Sequence, residues 1–299
     1  MRFSPRGAMI ALAALCLALS AGAGDSTAGF VGSFRWTMDD DAFGGLSAIE
    51  MSDDGSQITV IGDRSAYLTA RITRKNGRIV GVEATRPALL RAPNGKRAAG
   101  DSEGLAIRGD RLYVSFEGPA RVMSIDSELR AHPLPSVPAF ATYPGNSGFE
   151  ALAIDAKGRL LTLPERSGAL LRAFPVWRFD GQRWTQPYEI PRRGGFLVVG
   201  ADVGPDGRLY LLEREFTGFG FLSRVRRFDM TDDALSNETE LLSSSVFQFD
   251  NLEGIAVWRD DTGEIRLTMV SDDNFNPLQK TELVEFRVPE TLASRGETP

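Results

Sequence analysis

The sequence predicts an all-β protein, a β-propeller of four-stranded blades. Three observations predict it: one hairpin-like unit recurs five times, its copies start 47 to 56 residues apart, and the gaps leave room for two more strands each. The copies cover 47–63, 103–117, 150–165, 199–213 and 253–272.

Each copy is a short apolar run, a turn rich in Asp and Gly, a second β-type run and an acidic residue. Two alternating runs around Asp53-Asp54-Gly55, Lys157-Gly158 or Asp206-Gly207 read as β-hairpins. A helical reading fails because Gly and Asp interrupt the middle of every window.

The outer strands come from the gaps, for example 67–73 with 78–85 and 172–179 with 184–190. After the last hairpin only 281–288 remains strand-like, while 30–36 precedes the first without a partner. The two chain ends are therefore expected to complete one blade together. This favours five blades, although counting alone leaves room for a sixth, degenerate one.

Residues 1–23 differ in kind from the rest. Arg2 and Arg6 are followed by an apolar run over 8–19 and by Ala21-Gly22-Ala23, the pattern of a signal peptide cleaved after Ala23. At about 12 residues the run is shorter than the roughly 20 that span a bilayer, so no membrane span is expected after cleavage. Leu15 before Cys16 argues against a lipoprotein signal. Residues 24–299 are read as one propeller domain, periplasmic or secreted, without a cysteine to form disulfides.

Without the signal peptide the chain has 32 basic and 40 acidic residues, a net charge of −8. That excludes nucleic acid as a natural partner and favours cations, or a small anionic substrate bridged by cations. The 42% hydrophobic content and 18 Phe exclude a disordered chain.

In a propeller hairpin the start of the first strand and the end of the second reach the same rim. The five units then supply an inner set of Ser47, Glu103, Glu150 and Glu253, with Asp202 as a displaced member in the fourth. The outer set is Asp63, Glu117, Glu165, Glu213, Asp272 and Asp273. Crowded carboxylates repel unless protonated or neutralised, and hard oxygen donors beside water suit calcium. Satisfied hydrogen bonds between blades are the competing reading for the inner glutamates.

Arg64, Arg166 and Arg214 each follow an outer acid, either as structural ion pairs or as guanidiniums for phosphate oxygens. The sole histidine, His132, is followed by Pro133 and Pro135 in an expected surface loop, which disfavours Ser-His-Asp catalysis and histidine-bound zinc.

The segment Asp250-Asn251-Leu252-Glu253-Gly254-Ile255-Ala256, with Val270-Ser271-Asp272-Asp273-Asn274-Phe275 and Gln279-Lys280-Thr281, resembles the C-terminal signature of the phytase-like family, "esterase-like activity of phytase". Shorter matches are Gly44-Gly45-Leu46-Ser47, Gly62-Asp63-Arg64, Asp101-Ser102-Glu103-Gly104, Gly148-Phe149-Glu150-Ala151-Leu152 and Leu211-Leu212-Glu213-Arg214. The resemblance covers about residues 40–288 and implies a bacterial exported propeller whose recurrent acids carry phosphoesterase activity. It departs from its own pattern at Val199, where three other repeats have Glu.

The expectation is a calcium-assisted phosphoric-ester hydrolase. Glu103, Glu150, Glu253 and Asp202 are the candidate metal ligands, and Asp63, Glu165 and Asp272 the candidate catalytic acids. Arg64, Arg166 and Arg214 are the candidate substrate-binding residues, and a metal-activated water replaces the missing histidine base. The alternatives are a non-catalytic, calcium-stabilised propeller that binds a ligand or partner protein, and a lactonase-like propeller.

Overall fold

The computed structural model describes residues 27–96, 101–143, 145 and 147–289. The expected signal peptide lies outside them, and no helix among them is long and apolar enough to cross a membrane. Strand β1 (Gly29–Arg35) comes first and finds its partner only at the chain's other end.

Blade 1 is β2 (Leu46–Met51), β3 (Gln57–Gly62), β4 (Ala66–Lys75) and β5 (Arg78–Ala84), with the short β6 (Ala88–Leu89) paired to β4. Blade 2 is β7 (Ser102–Arg108), β8 (Arg111–Phe116), β9 (Arg121–Ile125) and β10 (Ala131–Pro133). Blade 3 is β11 (Phe149–Ile154), β12 (Leu160–Pro164), β13 (Phe174–Phe179) and β14 (Trp184–Ile190). Blade 4 is β15 (Leu197–Val203), β16 (Leu209–Phe216), β17 (Phe221–Met230) and β18 (Leu235–Ser243). Blade 5 is β19 (Asn251–Arg259), β20 (Ile265–Asp272) and β21 (Glu282–Val288), completed by β1.

Five antiparallel four-stranded sheets in a ring make a five-bladed β-propeller. β1 pairs with β21 from Gly29 opposite Arg287 to Arg35 opposite Glu282, so the two chain ends close the ring as expected. Closure is reinforced where Arg74 of blade 1 meets Glu285 of blade 5 at 2.6 Å.

The strands form because their side chains alternate. In β4, Ala66, Leu68, Ala70 and Ile72 are buried, while the residues between them are more exposed. Asn76 and Gly77 both take positive φ (52° and 74°), as a tight two-residue hairpin turn requires.

The core is five separate clusters, each filling one seam between neighbouring blades. The seam between blades 2 and 3, for example, packs Ala106 and Val122 against Phe149, Leu152 and Leu160. Each such large side chain contributes about 1.5–3 kcal/mol on burial, so each blade is stabilised mainly by its neighbours.

Small residues set how closely the inner strands approach. A Cβ on Gly104 would come within 2.7 Å of the Leu152 backbone N, and one on Gly254 within 2.8 Å of the Ala48 Cα. The axis is lined by Ile49, Leu105, Leu152, Ala201 and Ile255 together with glycines, and by Glu103 and Glu150, leaving ≈ 10 Å³, about the room of one water.

Candidate functional site

Every blade carries a register irregularity near the start of its inner hairpin. It falls between Leu46 and Ala48, Ser102 and Leu105, Phe149 and Ala151, Val198 and Gly200, and Leu252 and Gly254. The residues spanned include Ser47, Glu103, Glu150, Val199 and Glu253. A β-bulge leaves a residue unpaired and re-aims its side chain, and here five bulges stand at one end of one ring. The expected inner set thus occupies one structural position, with Asp202 standing apart.

The residue before each bulge fixes the outer set. Leu46 pairs with Gly62, Ser102 with Phe116, Phe149 with Pro164, Val198 with Glu213 and Leu252 with Ser271. One residue further along lie Asp63, Glu117, Glu165, Arg214 and Asp272. Blade 4 therefore presents Arg214 where the other blades present an acid. Glu213 is displaced by one residue, which in a strand means the opposite face. It is 0% exposed, and its carboxylate accepts from Arg224 Nε at 2.9 Å and Arg226 Nη2 at 2.6 Å.

At the mouth the carboxyl groups crowd. Ligand oxygens of Glu117, Glu150 and Glu165 lie within 4.8 Å of one another, close enough for Glu150 to act on the protonation of Glu117. Carboxyl groups crowded this closely repel unless a proton or a cation neutralises them. Burial, then the neighbouring acids, hold Glu103 and Glu150 well above the usual carboxylate range. Burial raises Asp63 and Glu117 as well, and pushes Asp272 to about 8 with Glu253 adding to the rise.

Arg214 is the counterion inside this ring. Its Nη1 donates to Glu253 Oε1 and, at 2.6 Å, to Asn251 Oδ1, while Nη2 lies 3.6 Å from Glu165 Oε1. Burial raises Glu253, and Arg214 opposes the rise most strongly. Arg166 Nε donates to Glu165 Oε2 at 2.8 Å from a side chain that is 54% exposed. The Arg64 guanidinium stacks 3.5 Å from the Phe275 ring centroid.

Two polar atoms at this mouth are buried without a hydrogen-bond partner among the described residues, Asp63 Oδ1 and Ser47 Oγ. Asp273 is occupied, accepting from Gly45 N and Thr281 Oγ1 at 2.9 Å each.

Asp202 does not belong to this site. Its strand partner Tyr210 is close to the hairpin turn, whereas the acids of the mouth lie at the open end. There Asp202 Oδ2 accepts from Val257 N at 2.6 Å, much as Glu50 Oε1 accepts from Ile107 N at 3.3 Å. Both carboxyls clasp the inner strand of the next blade. Desolvation raises both, Asp202 to about 7, and the Asp202 charge adds to the rise of Glu50.

Two residues of the mouth were not singled out from the sequence. Asp101 adds its charge to Glu103, Glu117 and Asp63, and Asn251 Nδ2 donates to Glu253 Oε1 at 2.8 Å. Each stands two residues before a bulged glutamate, a signal that strand alternation could have supplied. His132 is in β10 on the outside of blade 2, paired through Nε2 with Asp126 at 2.9 Å.

The family model described as Phytase-like, esterase-like activity of phytase, matches residues 41–275. No curated protein matches the chain. Among solved structures, a gluconolactonase from Xanthomonas campestris is similar at 15% identity and a TM-score of 0.48, covering 89% of both chains. Myxococcus xanthus glutaminyl cyclase is similar at 12% identity and a TM-score of 0.44, covering 87% of this chain and 95% of that one. A glucose dehydrogenase is similar at 13% identity and a TM-score of 0.39, covering 82% of this chain and 81% of that one.

Proposed function

The chain belongs to the phytase-like family, and from that premise we propose that it is an exported, calcium-assisted hydrolase of phosphoric esters acting at the acidic mouth of the propeller. The observation that carries the reading is the convergence of Glu117, Glu150 and Glu165 oxygens within 4.8 Å, beside Glu103 and Glu253.

The residues fit a hard cation. All the charged donors in the group are carboxylates, the Glu117–Glu150 crowding calls for a proton or a cation, and Asp63 Oδ1 is buried without a partner. Glu117, Glu150 and Glu165 would hold calcium, with Glu103 and Glu253 adding charge around it. When bound, calcium supplies positive charge that draws in an anionic ester and stabilises the charge developing on its phosphoryl oxygens.

The chain's own groups do the rest. Arg166, exposed at the rim, and Arg64 beside Phe275 supply donors for phosphoryl oxygens. Arg214 holds Glu253 in place and keeps that side of the mouth from excess negative charge. Asp272 accepts from Asn274 N at 2.6 Å and carries the pKa of about 8, which suits it to exchange a proton with water near neutral pH.

The test is turnover of phosphomonoesters and phosphodiesters by purified protein, in calcium and in chelator. Calcium-dependent hydrolysis that falls at least about a hundredfold in Glu150→Gln is expected. No turnover on any ester would sink the reading.

A second reading is a calcium-stabilised propeller that binds a ligand without converting it. It is favoured by the position of the sole histidine, on an outer strand away from the mouth. Calcium-dependent melting without turnover would establish it.

A further inference from the structure

Six large apolar side chains stand exposed in or beside four connections. They are Leu170 and Leu171 (between β12 and β13), Phe216 and Phe219 (between β16 and β17), Phe247 (between β18 and β19) and Leu278 (between β20 and β21). β12, β16 and β20 run toward the mouth and β19 starts from it, so all four connections lie on the mouth side. Single exposed apolar residues are ordinary, but several gathered on one side of a charged opening mark a binding surface.

Blade 4 links this surface to the carboxylates. There Val199 and Arg214 stand where blades 2, 3 and 5 have two acids and blade 1 has Ser47 and Asp63, so blade 4 alone brings no acid to the mouth. The Arg214 guanidinium lies 5.6 Å from the Phe221 ring centroid, and Phe221 lies 5.2 Å from Phe216, which is 61% exposed. Phe247 covers Gly220, where an added Cβ would come within 2.8 Å of its ring. Two rings, Phe221 and then Phe216, thus lead from the charged centre to the outside, with the Phe247 ring against the neighbouring turn at Gly220.

We propose that this aromatic shelf on blade 4 binds the apolar group of a small amphiphilic ester whose anionic head enters the carboxylate mouth. The proposal rests on the phosphoester reading above and narrows its substrate class. A small amphiphile fits because the shelf ends at Arg214 within the mouth, so its occupant reaches both at once. Of the exposed apolar side chains at this end, six sit on blades 3 to 5, and Leu89, paired with Ala66 at the start of β4, sits on blade 1.

The experiment is calorimetric titration of the full chain, in excess calcium chloride, with methyl phosphate and with octyl phosphate. Wild-type protein is expected to bind octyl phosphate at least about tenfold more tightly, because several methylenes leave water on the shelf. Phe216→Ser and Phe247→Ser, both at exposed positions, should retain the wild-type melting temperature and methyl phosphate affinity while losing most of that gain. Equal affinities for the two esters in wild type, or an undiminished gain in both variants, would overturn the shelf and leave the phosphoester reading standing. If neither ester binds, both readings fall. Sedimentation with phosphatidylcholine vesicles that the variants lose, without any preference for octyl phosphate, would overturn the proposal in favour of a lipid surface.

Discussion

Arg214 of blade 4 donates a hydrogen bond to Glu253 of blade 5, at the one blade where the outer acid of the mouth is missing. A cation built into the chain thereby offsets part of the charge crowded there. Arg214→Ala should cost about 3 kcal/mol in chelator, because it strands a buried carboxylate. Calcium should restore part of that loss, since a dication can take over the neutralisation. Chemical denaturation with and without calcium checks this, and an identical loss in both conditions would show that the charge of Arg214 is not what matters.

Calcium itself should stabilise the wild-type fold. At about a hundred times its dissociation constant a ligand of the folded state adds roughly 2.7 kcal/mol, a rise in melting temperature of several degrees. Glu117→Gln and Glu150→Gln should each abolish most of the rise. Differential scanning calorimetry against calcium concentration reads it directly.

Glu213 offers the opposite case. It is buried between Arg224 and Arg226, away from the mouth, so Glu213→Gln should destabilise by about 3 kcal/mol whether calcium is present or not. Dependence of that loss on calcium would return Glu213 to the site.

The other end of the channel should respond to pH. Asp202 is raised in the folded protein to about 7. The stability contributed by its protonated form is full below the unfolded value near 3.8 and is lost as pH rises through about 7, on the order of 4 kcal/mol. Asp202→Asn keeps an acceptor for Val257 N and removes the charge. It should be the more stable form at pH 8 and differ little at pH 4, as denaturant midpoints across that range would reveal.

Most of the architecture could be read in advance because a blade is a local object. The strand expected over 184–190 is observed as Trp184–Ile190, and that expected over 78–85 as Arg78–Ala84. The inner set was legible too, as an acid or Ser47 followed by a small residue in every unit but the fourth; the bulges that re-aim these side chains are visible only in the strand pairing. The fourth blade was misread at its outer strand because Glu213, Arg214 and Glu215 are all polar, and only the pairing of Val198 with Glu213 decides which one reaches the mouth. Asp202 was misplaced for a related reason. Three residues along a strand is about 10 Å, enough to carry a carboxyl from the mouth to the far side of the apolar waist.

The waist described above, with Ile49, Leu105, Leu152, Ala201 and Ile255 around room for a single water, makes the mouth a cup and not a tunnel. Whatever enters must leave by the door it came through. Whatever occupies the cup then blocks the next arrival, and any ion resting at its bottom is the last thing to escape and the first thing a newcomer meets.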